Sequence, residues 1–296
     1  MTVLVTGGTG FVGPHVVHAL RVRDVAVRAL VRNPSRASRL AAWGVELVRG
    51  DVTDAASLRD ACADVDGVVH LVAIIKGSPV DFERVMVEGT RNVVAAAEAA
   101  GVHRFVLASA LGLDERSRTA VPYFGAKWQM EHAVEQSGLE HTIMRPSFVF
   151  GRDGGVLPTF VRLARLAPLT PIVGTGTRRL QPIWVEDLAE QYALALELPE
   201  AAGRTFELGG PEAVTWNEFW SRLKRVLGTR RPSLHVPIGL MRMQAAVTER
   251  LPGAPVTRDQ LTMLELGDNV VTDPGAAEVF KLPLVPLDEQ LRRAVS

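Results

Sequence analysis

The sequence is poor in features that would indicate cross-linking, membrane insertion or nucleic-acid binding. Its 296 residues include one cysteine, Cys62, so no intrachain disulfide can form and a reducing compartment is expected. Acidic and basic side chains balance at 33 each, which gives no electrostatic reason to expect a nucleic acid or an anionic membrane as partner. The longest apolar stretch, near Leu71–Ile75, is far too short for a transmembrane segment. The chain opens directly on an apolar strand with no signal peptide ahead of it, so we expect a cytoplasmic protein.

Patterns typical of metal and hydrolase chemistry are missing as well. His15 and His18 lie three residues apart on a predicted helix, but without a third ligand they are expected to be helix-surface histidines. The sequence contains neither a His-Glu-x-x-His nor a Gly-x-Ser-x-Gly pattern. We therefore predict no metal site.

What the chain does contain begins with a glycine-rich turn, the segment Thr6–Gly13, which reads TGGTGFVG. A short apolar strand precedes it and an apolar-faced helix, Val12 to Leu20, follows it. Gly7 can turn tightly at the strand end, Gly10 lets a pyrophosphate approach the backbone, and Gly13 lets the helix lie close to the strand. The helix N-terminus then offers N–H groups and a positive dipole end to an anion. This order favours dinucleotide binding over the alternative of a merely tight strand–helix turn.

Strand and helix patterns alternate through the first half of the chain. Predicted strands cover 25–31, 45–48, 68–72, 105–108 and 142–145, and predicted helices cover 36–42, 55–63, 82–100 and 123–136. Such alternation predicts an α/β fold, a Rossmann-type doubly wound parallel sheet with a smaller C-terminal α/β lobe. We expect a NAD(P)-binding domain over 1–150, with contributions from about 178–198, and a substrate lobe over 151–296.

One helix of the second half is well marked. Thr215 and Glu218 form a capping box and Gly228 ends the helix. Its apolar stripe includes Trp216 and Trp220. Core packing is the simpler interpretation of the stripe, and a substrate wall is the alternative.

The end of the second predicted strand bears on the choice between NAD and NADP. A NAD-binding fold usually places an acid there to bond the adenosine 2′-hydroxyl, but the chain reads Leu-Val-Arg-Asn, ending in Arg32 and Asn33. Arg32, with Arg36 close behind, could clamp a 2′-phosphate, which favours NADP over NAD. The alternative is an ordinary solvated arginine. Asp51 could accept a hydrogen bond from the adenine amino group, or it could begin the next helix together with Asp54.

A tyrosine–lysine pair is the second motif with chemical potential. Tyr123 and Lys127 are four residues apart and share a helix face. With two tyrosines and four lysines in the chain, this spacing arises by chance with a probability of roughly 0.03. An ammonium beside a phenol favours the phenolate, so the tyrosine could act as an acid or base nearer neutral pH. Ser109, at the end of the preceding strand, could hydrogen-bond a substrate oxygen or the phenol. Each residue alone also has a plain structural explanation.

With these motifs the sequence resembles the short-chain dehydrogenase/reductase superfamily in its extended or atypical branch. The resemblance covers about 1 to 211 and extends over five segments: the glycine-rich turn, Gly50–Val52, the Ser109, Tyr123 and Lys127 triad, the segment Arg145–Gly151 and the segment Gln181–Ala189. It implies that Tyr123 is the general acid/base, that Lys127 lowers its pKa and holds the nicotinamide ribose, and that Ser109 orients the substrate oxygen. The implied cofactor contacts are Thr6, Gly7, Gly10, Phe11, Val12, Gly13, Arg32, Arg36, Asp51, Val52, Val72, Ala73, Lys127, Arg145, Pro146, Ser147 and Val149.

Within the superfamily, the segments around Ser109, Tyr123 and Arg145 are similar to a subgroup related to the nucleotide-binding accessory subunit of respiratory complex I. That resemblance implies a bound NADPH with a role that is structural rather than catalytic, and association with a larger complex. Two functions therefore remain open. One is an NADP-dependent oxidoreductase or isomerase acting on a carbonyl or secondary alcohol. The other is a non-catalytic NADPH-binding module, either an assembly factor or a redox sensor.

Overall fold

A computed structural model describes residues 1–249 and 257–295. The strands are β1 (Thr2–Thr6), β2 (Ala26–Val31), β3 (Glu46–Arg49), β4 (Gly67–His70), β5 (Arg104–Ala108), β6 (Glu140–Pro146), β7 (Val149–Gly151), β8 (Gly154–Gly155), β9 (Thr170–Val173), β10 (Arg179–Leu180), β11 (Ile183–Trp184), β12 (Arg204–Leu208), β13 (Val214–Thr215) and β14 (Ser233–Val236). The helices are α1 (Gly13–Val22), α2 (Ser38–Ala42), α3 (Leu58–Cys62), α4 (Pro79–Phe82), α5 (Gly89–Ala99), α6 (Glu115–Ala120), α7 (Pro122–Glu135), α8 (Leu157–Leu166), α9 (Val185–Glu197), α10 (Trp216–Val226), α11 (Ile238–Thr248), α12 (Arg258–Leu266), α13 (Gly275–Phe280) and α14 (Leu287–Val295).

Seven of the strands form one parallel sheet in the order β12-β6-β5-β4-β1-β2-β3. The chain runs outward from β1 to β3 on one side and from β4 to β12 on the other. The direction therefore reverses between β1 and β4, and a ligand crevice is expected at the carboxyl ends of these two strands. The α/β doubly wound fold predicted from the alternating pattern is confirmed.

Apolar side chains explain why the sheet is covered on both faces. Val3, Leu4 and Val5 are all fully buried, as β-branched and apolar residues between two helix layers should be. One layer consists mainly of α1 and α9, and the other mainly of α3, α5 and α7. The seventh strand, β12, follows α9 in the chain. It therefore lies beyond the segment 178–198 that was expected to contribute to the NAD(P)-binding domain.

The long helix predicted over 82–100 is interrupted. A π-helical segment, Glu83–Glu88, separates α4 from α5. The apolar pattern continues across it, so hydrophobic periodicity alone does not show the wider turn. Such π segments occur frequently at functional sites, and this one contacts α7, the helix that carries Tyr123.

The C-terminal lobe has its own core, in which aromatic rings pack closely against one another. Phe148 contacts Trp216 with ring centroids 5.5 Å apart, and Phe160 contacts Trp220 at 4.9 Å. The predicted capping box is present at the start of α10, where Thr215 accepts from Glu218 N at 3.1 Å. Trp220 is buried, which fits core packing, whereas Trp216 is partly exposed.

Among residues 1–249 and 257–295, no helix is both long and apolar enough to cross a bilayer.

Candidate active site

The glycine-rich turn closes tightly at the end of β1. Gly10 N donates to Gly7 O at 2.9 Å, and Gly7 has a φ of +74°, a conformation that favours glycine. A Cβ atom on Gly7 would lie 3.0 Å from the carbonyl carbon of Leu71, and one on Gly13 would lie 2.4 Å from Gly7 O. The turn thus has no room for a side chain at Gly7 or Gly13, and the start of α1 is free of acidic residues. A backbone cradle of this kind fits the pyrophosphate of a dinucleotide.

Two arginines lie at and after the end of β2, where the sequence predicts the adenosine 2′-phosphate. Arg32 directly follows β2, and Arg36 ends a 3₁₀ turn that Asn33 caps by accepting from the backbone N–H of Ser35. Both side chains are exposed, and within the described part of the chain neither has a hydrogen-bonding or ion-pair partner. Two unpaired guanidinium groups beside the strand end suit a phosphate.

Asp51 is held in the turn that follows β3. Its Oδ1 accepts from both the backbone N–H and the hydroxyl of Thr53 at 2.9 Å, while Asp54 caps the next 3₁₀ turn. Asp51 therefore has one carboxylate oxygen engaged in hydrogen bonds within its own turn. Val52 packs against Gly89, where a Cβ would lie 2.8 Å from its Cγ2 atom. Adenine contacts by this pair stay a prediction.

One of the three predicted catalytic residues, Lys127, reaches the end of β5 next to Ser109. Lys127 is 1% exposed and donates from Nζ to Ala108 O at 2.6 Å. Ala108 is the last residue of β5 and directly precedes Ser109. The Lys127 ammonium also lies 5.8 Å from the centroid of the Tyr123 ring. The i, i+4 spacing on α7 therefore brings Tyr123 and Lys127 together, and Lys127 contacts the residue before Ser109.

Ser109 has an unusual environment for a hydroxyl. It is 4% exposed, and its Oγ has no hydrogen-bonding partner in the part of the chain that the structure describes. Buried hydroxyls are nearly always paired, since an unmade hydrogen bond costs about 1–3 kcal/mol. An orphaned donor at the carboxyl edge of the sheet fits a substrate oxygen.

The pKa values in this site follow burial. Burial lowers the pKa of Lys127 to about 8, with Glu131 acting in the opposite direction, and it raises the pKa of Tyr123 to about 12. The expected lowering of the phenol's pKa by Lys127 is therefore wrong for this arrangement. The physical reason is that the phenol itself is desolvated. At neutral pH the phenol carries its proton.

The end of β6 contributes side chains that are already engaged. Arg145 forms a bidentate ion pair with Glu131 of α7, at 2.8 and 2.6 Å, and Ser147 donates to Gln181 O. These contacts hold β6 and its following residues against α7 and the lobe. They use the side chains of Arg145 and Ser147 within the protein, so the predicted cofactor contacts of this segment rest on its backbone, Pro146 and Val149.

The other predicted cofactor contacts surround the glycine-rich turn. Val72 follows β4, and its backbone nitrogen would lie 3.1 Å from a Cβ on Gly7. Ala73 is exposed next to it. The ring of Phe11 lies against Gly154 and Gly155, where added Cβ atoms would be 2.4 and 3.1 Å from it. Val12 precedes α1 as its N-cap residue.

A buried histidine, which the sequence reasoning did not single out, ties the turn to the π-helical segment. His70 Nδ1 lies 2.7 Å from Thr6 Oγ1, and Nε2 lies 3.1 Å from Thr90 Oγ1, which itself donates to Met86 O. Nε2 therefore carries the proton and Nδ1 accepts from Thr6. Burial lowers the pKa of His70 to about 3, so the ring is neutral. A single histidine within the apolar run 68–72 is the signal that could have indicated it.

The hydroxyl of Thr6 is used in that network and faces His70 rather than the crevice.

Within the described residues, no group of three or more His, Cys, Asp and Glu side chains is arranged to hold a metal. His18 packs edge-on against Trp43 with centroids 5.5 Å apart.

The sheet is doubly wound, and the glycine-rich turn lies where the strand order reverses. Together with the predicted Ser–Tyr–Lys residues, these features define a dinucleotide-binding protein of the Rossmann type. The chain belongs to the NAD(P)H-binding family, whose model matches residues 7–160, and the RmlD substrate binding domain model matches residues 115–265. This family assignment agrees with the extended branch of the short-chain dehydrogenase/reductase superfamily that the motifs predicted.

Curated relatives include both enzymes and an assembly factor. A 2-alkyl-3-oxoalkanoate reductase of Stenotrophomonas maltophilia is 28% identical, covering 99% of this chain and 98% of the relative. A photosystem II assembly factor Ycf39 of Trieres chinensis is 25% identical, covering 90% of this chain and 82% of the relative. Among solved structures, that of gox2253 is 26% identical with a TM-score of 0.82, covering 99% of this chain and 96% of the other.

Proposed function

We propose that this protein is an NADP-dependent oxidoreductase that reduces a carbonyl group, or an isomerase that passes through one. The observation that carries the proposal is the buried, unpaired Ser109 hydroxyl next to the Lys127–Ala108 contact. A substrate carbonyl oxygen placed there would accept from Ser109 and gain the hydrogen bond that the folded protein lacks.

Each side chain of the cluster has a role in this reaction. The bound cofactor would supply hydride to the carbonyl carbon. The phenol of Tyr123, protonated at neutral pH because burial raises its pKa to about 12, would give its proton to the developing alkoxide. Lys127 would keep α7 in position against the end of β5 and contribute positive charge near that oxygen. A high phenol pKa favours the acid role, and hence carbonyl reduction.

The cofactor preference follows from charge. Arg32 and Arg36 are exposed and unpaired within the described residues, and the strand end carries no acid for a ribose hydroxyl. We therefore propose NADP over NAD. The relative named as a 2-alkyl-3-oxoalkanoate reductase, matched over nearly its full length, supports a ketone as substrate.

Substitution of each tyrosine in turn tests the catalytic proposal. Oxidation of NADPH is followed against a panel of ketones, aldehydes and nucleotide sugars. We expect Tyr123→Phe to lose turnover by about a hundredfold or more while it retains NADPH binding. Tyr192→Phe is the matched control, since that tyrosine lies in the core on the opposite face of the sheet. Turnover that survives unchanged in Tyr123→Phe removes the residue from the mechanism.

A non-catalytic NADPH-binding module is the second candidate. It is favoured by the engagement of Lys127 Nζ with Ala108 O, which commits the ammonium to the backbone. The relative named as a photosystem II assembly factor supports a role in association with a larger complex. A protein that is purified with tightly held NADPH and is inert across the panel would favour this function. Free cofactor exchange with rapid turnover would exclude it.

A further inference from the structure

His70 lies between the strand that leads into the glycine-rich turn and the strand that anchors α7. It ends β4, and in the sheet it is in register with Thr6 of β1 on one side and with Leu107 of β5 on the other. Thr6 is the first residue of the glycine-rich turn. Leu107 directly precedes Ala108, whose carbonyl oxygen accepts from Lys127. The histidine is therefore placed between the predicted cofactor turn and the strand end to which α7 is attached.

The His70 ring is the middle of a chain of three hydrogen bonds. The hydroxyl of Thr6 donates to Nδ1 at 2.7 Å, Nε2 donates to the hydroxyl of Thr90 at 3.1 Å, and that hydroxyl donates to Met86 O at 2.5 Å. The side chains of Thr6, His70 and Thr90 are all fully buried. In a neutral ring one nitrogen donates and the other accepts, so each group of the chain has a single role. Because an unmade buried hydrogen bond is costly, a displacement at one end of the chain is resisted at the other.

The far end of this chain of hydrogen bonds belongs to the π-helical segment. Met86 lies within the segment, and Thr90 lies in the first turn of α5 just beyond it. The segment packs against α7. Directly before it, the ring of Phe82 contacts the ring of Tyr123 edge-on, with centroids 6.4 Å apart. The hydrogen bonds of the histidine thus connect the glycine-rich turn to the elements against which the Tyr123 ring packs.

We propose that His70 is a positioning residue that couples the glycine-rich turn to α7, so that a dinucleotide bound at the turn and the Tyr123 phenol are held at a fixed separation. Hydride and proton are delivered to the same carbonyl group, so the hydride donor and the phenol have to be aligned together. The effect of His70 on turnover rests on the oxidoreductase function proposed above. The coupling itself requires only a bound dinucleotide.

Hydrogen–deuterium exchange with and without NADPH, and with NADH in parallel, tests the coupling. In the wild-type protein, the bound dinucleotide should slow exchange of the amides of 83–92 by at least about fivefold, the lower end of typical couplings between two sites. Thr90→Val removes the hydroxyl with little change of shape, and it should lose this protection while it still binds the dinucleotide. His70→Leu removes both contacts of the ring and should lose the protection as well. Thr90→Ser keeps the hydroxyl and should keep the protection.

Thr142→Val is the matched control for Thr90→Val. Thr142 is also fully buried, and its hydroxyl donates to Ala201 O at 2.8 Å, outside the chain of hydrogen bonds through His70. The control should lower the free energy of unfolding, as Thr90→Val does, but leave the protection by NADPH unchanged. In steady-state kinetics, Thr90→Val should lower kcat about tenfold and leave the KM for NADPH within about twofold, because alignment is lost and binding is retained. Thr142→Val should change neither constant.

Three results would overturn the proposal. One is protection of 83–92 that persists in Thr90→Val. Another is an equal loss of protection and of kcat in Thr142→Val, which would mean that His70 only stabilises the fold. The third is a wild-type protein in which neither dinucleotide slows exchange of 83–92. If the protection is present in the wild type and absent from Thr90→Val, but no substrate of the panel is turned over, the oxidoreductase function fails and the coupling stands.

Discussion

The ammonium of Lys127 donates a 2.6 Å hydrogen bond to the carbonyl oxygen of Ala108, the last residue of β5. This contact joins the helix that carries Tyr123 to the strand end that carries Ser109. It also explains how a buried lysine is tolerated, since the ammonium has a hydrogen-bond acceptor in a place from which water is excluded. The geometry of the candidate active site thus depends on a bond between a side chain and the backbone.

Removal of the Ser109 hydroxyl should separate stability from activity. We expect Ser109→Ala to leave the free energy of unfolding unchanged or slightly higher, because it removes a buried, unpaired polar atom. Turnover should fall about a hundredfold, as for the loss of one donor to a developing oxyanion. Denaturant unfolding and NADPH oxidation measure the two effects.

Ser117→Ala is the matched control for that variant. Ser117 is 1% exposed, and its Oγ accepts from Asp114 N at 2.8 Å in the cap of α6. Its loss should cost about 1 kcal/mol. A comparable loss of stability in Ser109→Ala would show that its hydroxyl has a partner in the folded protein.

The buried Lys127 should make stability depend on pH in the alkaline range. Burial lowers its pKa to about 8 from an ordinary value of 10.5. Between these values the unfolded chain holds more protons than the folded one, so the free energy of unfolding should rise with pH. Below pH 8 the contribution is constant. Relative to Lys127→Met, the wild-type protein should gain roughly 3 kcal/mol across this window. Urea unfolding from pH 7 to 10.5 measures the difference, and a difference that falls with pH would contradict the burial argument.

Arg32 should discriminate between the two cofactors. A charge-assisted contact with the 2′-phosphate contributes on the order of 1.5–3 kcal/mol, so Arg32→Ala should weaken NADPH binding about tenfold or more and leave NADH nearly unchanged. Arg36 could share the phosphate, and the double variant should lose more. Calorimetry with both cofactors measures this, with Arg225→Ala as control. Equal losses for NADPH and NADH would mean that Arg32 contacts only the adenine, and a wild type that prefers NADH would contradict the NADP assignment.

The close approach at Gly13 should make that position intolerant of a side chain. A Cβ there would lie 2.4 Å from Gly7 O and 2.6 Å from the carbonyl carbon of Gly8, both backbone atoms. Gly13→Ala must therefore displace α1 from the turn, and we expect loss of cofactor binding together with more than about 2 kcal/mol of stability.

Gly239→Ala provides the opposite case on α11. An added Cβ would have no atom within 4 Å, so alanine's better helix propensity should stabilise the protein by up to about 1 kcal/mol. Thermal unfolding and NADPH titration of both variants measure the contrast. Retained NADPH binding by Gly13→Ala would mean that the turn can relax.

The sequence by itself determined the fold class and the position of the dinucleotide crevice. Periodicity is a local property, and short apolar strands alternating with amphipathic helices admit few arrangements other than a doubly wound parallel sheet. The glycines of the turn, the capping box at Thr215 and the four-residue spacing of Tyr123 and Lys127 are likewise local, and the structure places each in its predicted element.

Only the tertiary structure decided which polar atoms are paired. The partner of Lys127 lies 19 positions away at Ala108, that of Arg145 lies 14 positions away at Glu131, and that of Thr6 lies 64 positions away at His70. Each of these hydrogen bonds joins atoms that are remote in sequence, and it forms only when their separation is correct to within a few tenths of an ångström. Residue type does not encode such separations. For the same reason the pKa of Tyr123 is raised, whereas the sequence predicted that it would be lowered. Desolvation of the phenol depends on what packs around it, which the sequence does not show.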